Sequence, residues 1–166
     1  FTATQEALKN QYKTDGAAVS LLKPTGTTEL ILDKMTVKTN GSAVYAAYDL
    51  TGSKPVAPTV TITGSTITAK GAYGVATNAS GITKESGEGT INITDSKITS
   101  EDAALFVNIP STVTVKNSEL TSKSQVVVVR GGNVNHENTK LTLAAGYVDE
   151  VVTEDNFSSV VGGDLG

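Results

Sequence analysis

The sequence has no cysteine and no tryptophan, a single histidine (His136) and a single arginine (Arg130). Without cysteine there is no disulfide framework and no thiolate metal site. No run of about 18 apolar residues occurs, which excludes a membrane-spanning helix. Basic residues do not outnumber acidic ones. The net charge of −4 gives no basic field to displace counterions from nucleic acid or from an anionic membrane. Proline is limited to 4 residues and aromatics to 5% of the chain. What is abundant is Thr, Ser, Val and Gly, a mixture suited to many short strands and poorly suited to helices. A length of 166 residues is enough for one domain with a continuous core. The chain opens on Phe1, with no basic segment leading into an apolar run, so it is expected to be a mature or trimmed piece of a longer protein, from which any targeting signal is missing.

One helical window stands out, Thr4 to Tyr12, with a hydroxyl at its start and Gly16 placed to end it. It is expected to cap one end of the fold over residues 1–16, because an open stack of strands exposes edges and apolar surface.

From Ala17 on, only strand and turn signals appear, and they repeat. The pattern of TVTITGSTIT (Thr59–Thr68) recurs in five registers, led by Leu30, Val60, Ile91, Val113 and Val134. Each has two inward positions two apart, apolar except for His136 in the last register, then a turn residue, a residue that is usually a small hydroxyl, and a further apolar position. The turn residues are Lys34, Gly64, Asp95, Asn117 and Asn138, followed by Met35, Ser65, Ser96, Ser118 and Thr139. Gly, Asp and Asn tolerate a left-handed backbone, so each register is expected to bend sharply there, with Lys34 the exception to the pattern. A second strand follows, with inward positions at Val44 and Ala46, Val75 and Thr77, Leu105 and Val107, and Val127 and Val129; Val148 is a candidate to continue that row. Two inserts, Asp49–Pro58 and Ala79–Gly89, read as loops leaving one edge.

Units of this size that cannot bury their own apolar face must stack on their neighbours. VTITGSTI, INITDSKI and VTVKNSEL resemble the coils of the right-handed parallel β-helices of the pectate-lyase-like superfamily. The resemblance covers Ala17 to Val152 and implies a fold of five or six stacked coils, with residues 153–166 as a C-terminal tail. A β-sandwich is the structural alternative, but it would not repeat one corner at each register.

The hydroxyl row is expected to bond to backbone at the bends. His136 occupies an inward core register, which speaks against a Ser–His–Asp set. In polysaccharide lyases of the superfamily an arginine acts as base beside calcium-binding acids. Arg130 is the only candidate here, and its row holds Asn78 and Asn108 rather than carboxylates. Asp95 is accounted for by its corner, and the other acids form no pair suited to glycoside hydrolysis. Neither a metal site nor a cofactor is expected. Tyr45, Ala76, Phe106 and Val128 would form an outward apolar stripe, with Tyr73 beside it. The candidate carbohydrate- or partner-binding residues are therefore Tyr45, Tyr73, Phe106, Val128 and Arg130. The threonine rows resemble those of ice-binding coils, but Asn92, Lys116 and Glu137 interrupt the array.

The expectation is a non-catalytic structural or adhesion module of a secreted or cell-surface bacterial protein. Its partners would be a polysaccharide, a neighbouring domain or a second copy, with no nucleic acid. The alternative carried by the resemblance is a polysaccharide lyase or glycoside hydrolase, or a degenerate relative of one.

Overall fold

The computed structural model describes residues 17–22, 29–49, 59–71, 73–80, 89–108, 111–129, 132–143, 150–151 and 161–162. The capping helix expected over 1–16 lies outside them, and no described residue is helical.

The strands form three sheets. The first holds β2 (Glu29–Asp33), β5 (Thr59–Thr63), β8 (Gly89–Thr94), β11 (Ser111–Lys116) and β14 (Gly132–Glu137). The second holds β3 (Thr36–Thr39), β6 (Thr66–Ala69), β9 (Lys97–Ser100), β12 (Glu119–Ser122) and β15 (Lys140–Leu143), with β16 (Glu150–Val151) at its end. The third runs from β1 (Ala17–Leu22) through β4 (Ser42–Asp49), β7 (Tyr73–Ser80), β10 (Ala103–Val107) and β13 (Gln125–Val129) to β17 (Val161–Gly162). Every strand pairs in parallel with its counterpart one turn of chain away, except β16, which is antiparallel to β15. Chain order visits the three sheets in rotation, so the architecture is a parallel β-helix.

The core follows from period-two alternation in each strand. Val60, Ile91 and Val113 stack in one inward row, and Ile62, Ile93 and Val115 in the next. All six are essentially inaccessible to water. Across the first corner, Val37, Ile67, Ile98, Leu120 and Leu141 continue the core.

The first corner is a repeating hydrogen-bond unit. Lys34, Asp95, Asn117 and Asn138 all have positive φ, from 45° to 51°, and Gly64 has φ 56°. Four of the five bends are followed by a hydroxyl that turns inward and donates to the carbonyl two residues back: Ser65 to Thr63 (2.9 Å), Ser96 to Thr94 (2.8 Å), Ser118 to Lys116 (2.7 Å) and Thr139 to Glu137 (3.0 Å). Three of those oxygens also accept a backbone N–H from the preceding coil. Met35 donates to Ser65 Oγ (3.0 Å), Ser65 to Ser96 Oγ (3.1 Å) and Ser96 to Ser118 Oγ (3.1 Å). The bend exposes backbone groups that no β-ladder can satisfy, and a buried hydroxyl supplies both a donor and an acceptor for them. Lys34 follows the same bend despite its side chain, because ladder bonds on both sides of it hold the backbone in place (Lys34 N to Thr63 O, 2.8 Å; Thr66 N to Met35 O, 2.8 Å).

The second corner is less regular. Thr39, Ala69, Ser100 and Ser122 point inward before it. Ser122 Oγ donates to Asp102 O (2.6 Å), and Thr39 Oγ1 accepts Gly41 N–H (3.1 Å). Ser100 Oγ is buried and has no hydrogen-bond partner. Ser100→Ala is therefore expected to leave stability unchanged or raise it by up to about 1 kcal/mol, whereas Ser122→Ala lowers it by about 1 kcal/mol. Thermal melts of the two variants check this, and equal losses would contradict it.

Several boundaries differ from the sequence reading. The strands reach into the expected inserts, since β4 runs through Asp49, β7 through Ser80, and Gly89 opens β8. Val148 lies outside the described residues, and the residue paired with Val127 is Val161. The segment read as a tail thus supplies β17. The third sheet also carries two successive inward residues at its start. Ala43, Ala104 and Val126 join the core beside Val44, Leu105 and Val127, because alternation breaks where the chain turns into the sheet.

Candidate functional site

The outward stripe is in register. Tyr45 pairs with Ala76, Ala76 with Phe106, and Phe106 with Val128 along the outer face of the third sheet. The sequence placed these residues on one face correctly. It could not show what lies over them: Tyr45 is 9% exposed, Ala76 1% and Val128 4%. Ala17, Tyr45 and Ala76 form a small cluster of their own, against which Tyr73 and Phe106 pack. This is a second, outer core rather than an open apolar platform.

Tyr73 and Phe106 remain half-buried and stack face to face, with ring centroids 4.6 Å apart and planes 20° from parallel. Tyr73 reaches Phe106 from the neighbouring coil, where its paired residue is the small Ala103. Of the five candidate binding residues, the fold therefore brings Tyr73 and Phe106 together, both partly accessible. Tyr45 and Val128 are covered. Arg130 lies outside the described residues.

The polar outer faces are organised coil to coil. Lys97 pairs with Glu119 (2.9 Å), Lys116 with Glu137 (2.8 Å) and Lys123 with Glu101 (2.9 Å), each between adjacent coils. Thr61 Oγ1 donates to Glu29 (2.7 Å), and Asn138 Nδ2 to Asn117 Oδ1 (3.0 Å). The hydrogen bond and charge of Lys116 hold the Glu137 carboxyl below its ordinary value. Exposed pairs of this kind contribute little stability singly. Lys97 with Glu119, and Lys116 with Glu137, stand directly opposite one another on neighbouring strands and so favour the observed register over slipped ones.

An open polar cleft of about 260 Å³ lies at the C-terminal end of the first corner, lined by Asn117, Ser118, Glu119, Asn138, Thr139 and Lys140. Its hydroxyls donate to backbone carbonyls, so they are not poised as nucleophiles. His136 is half-buried in the inward row of the first sheet, next to Val115. Among the described residues, no three His, Cys, Asp or Glu side chains come together to hold a metal ion. Among the described residues no helix is long and apolar enough to cross a membrane.

Compared with known proteins, the chain matches no protein-family model, no curated protein and no solved structure.

Proposed function

We propose that the chain is a non-catalytic structural module, a right-handed β-helical stalk or adhesion segment of a secreted or cell-surface bacterial protein. The observation that carries this reading is the use of polar groups between coils. Corner hydroxyls bond from one coil to the next, and outer lysines pair with glutamates one coil away. Such groups make a stiff rod of repeated units in which each coil braces its neighbours. The right-handed sense follows from the strong preference of parallel crossover connections. Kinship with the pectate-lyase-like superfamily is part of the same proposal and rests on the coil grammar.

Within this reading, contact with a glycan falls to the Tyr73–Phe106 pair, whose stacked rings present an apolar edge on a rigid face. On an array of polysaccharides the wild-type chain is expected to retain at least one, with a signal that falls about tenfold in Phe106→Ala, the equivalent of about 1.4 kcal/mol. Flat signals for both proteins would remove the glycan contact and leave the stalk. Incubation with uronic-acid polymers, with and without calcium, is expected to release no unsaturated product. Release of such a product would overturn the non-catalytic reading.

A further inference from the structure

The second corner of the first coil carries the one Asn-Gly dipeptide of the sequence, Asn40–Gly41. Asn40 is exposed and Gly41 half-buried. A side-chain amide next to glycine is open to attack by the following backbone nitrogen, since glycine has no Cβ to shield that nitrogen or restrict its approach. The other exposed asparagines at bends, Asn117 and Asn138, differ in the residue that follows. Ser118 is 3% exposed and Thr139 1%, and both have their hydroxyls tied to backbone inside the first corner. The fold thus buries the residue that follows the asparagine at those two sites, whereas Gly41 is half-buried and its N–H, which donates to Thr39 Oγ1 (3.1 Å), has to leave that bond before the nitrogen attacks.

We propose that Asn40–Gly41 is a site of spontaneous covalent modification, at which the folded chain converts Asn40 to aspartate. The Gly41 nitrogen forms a bond to Asn40 Cγ, the bond from Cγ to the side-chain nitrogen breaks, and ammonia leaves with the Gly41 proton. Water then opens the cyclic imide. Opening at one carbonyl gives aspartate, and opening at the other gives isoaspartate with an extra backbone atom.

The surroundings discriminate between the two products. Lys70 N donates to Thr39 O (2.9 Å), which sets Lys70 beside position 40 on the next coil. Further along the same corner, Lys123 already pairs with Glu101 (2.9 Å). An aspartate at 40 adds a carboxylate next to Lys70 and extends this run of opposite charges between coils. Isoaspartate has less room. A Cβ on Gly71 would stand only 2.7 Å from the Gly41 Cα and carbonyl carbon, so the two backbones are already in close contact. Conversion to aspartate is accommodated, and conversion to isoaspartate loosens the first two coils.

Incubation of the full chain in mildly alkaline buffer, followed by peptide mass mapping, tests the proposal. The mass gain that marks an acid in place of an amide is expected at Asn40, with Asn117 and Asn138 unchanged and no gain at position 40 in Asn40→Gln. Retention of the amide at Asn40 would overturn the site, and equal conversion at Asn117 or Asn138 would overturn the selection by burial. Asn40→Asp tests the charge arrangement separately. Its Tm is expected to match or exceed that of wild type at low salt and to lose any gain at high salt. A lower Tm at both salt concentrations would overturn the role of Lys70.

Discussion

Gly74→Ala is expected to destabilise the chain by about 3 kcal/mol, at the upper end of the usual cost of overpacking a core. Gly74 sits in the corner row of the third sheet, between Ala43 and Ala104 of the adjacent coils. A Cβ there would lie 2.4 Å from Ile98 Cγ2 and 2.6 Å from the Ala104 carbonyl oxygen. One of these atoms belongs to a fully buried isoleucine and the other to the backbone of a paired strand, so neither can move aside at low cost. The adjacent coils carry alanine at this position, and the corner of the second coil differs from theirs in length. From Thr66 to Tyr73 the chain has one more residue than from Thr36 to Ser42 or from Lys97 to Ala103. Urea denaturation measures the loss. A change within about 0.5 kcal/mol, the range of ordinary surface substitutions, would show that the third sheet does not pack this tightly.

Ser96→Ala is the second large effect, expected at about 2 kcal/mol. Ser96 Oγ takes the Ser65 N–H and gives its proton to Thr94 O. Ser65 is 1% exposed, so removing the oxygen leaves a buried N–H that water cannot reach. Thr94 O keeps the Gly64 N–H (3.0 Å) and suffers less. Ser96→Thr should recover most of the loss, since Thr139 makes the same intra-coil bond in the last coil. Equal losses for Ala and Thr would point to packing rather than hydrogen bonding as the role of the hydroxyl.

Much of this architecture was legible in residue types. The bends at Gly64, Asp95, Asn117 and Asn138 follow from backbone tolerance, and the hydroxyl row follows from the need to satisfy a bend. Lys34 was legible only by register, because its own preference opposes the φ of 51° that the neighbouring ladder imposes on it. The inward Ala43, Ala104 and Val126 were missed for a simple reason. Period-two reasoning assumes a straight strand, and these residues sit where the strand enters from a corner. The pairing of Val161 with Val127 was missed because a two-residue strand at the end of a sheet has no local pattern of its own. For the outer stripe, alternation correctly assigned the face of Tyr45, Ala76, Phe106 and Val128. Coverage of that face depends on long-range packing, which alternation does not encode. That coverage removes Tyr45 and Val128 from the candidate binding surface and leaves Tyr73 and Phe106 on it.

The account rests on coils joined through their corner hydroxyls, and residue-resolved amide hydrogen exchange in wild type and Ser96→Ala tests that joint most directly. In wild type the amides of Met35, Ser65 and Ser96 should all be protected. In the variant, exchange at Ser65 should accelerate tenfold or more, equivalent to roughly 1.4 kcal/mol. Met35 and position 96, whose acceptors are Ser65 Oγ and Ser118 Oγ, should change far less. An unchanged Ser65 amide, or an acceleration shared equally by all three, would contradict the corner ladder.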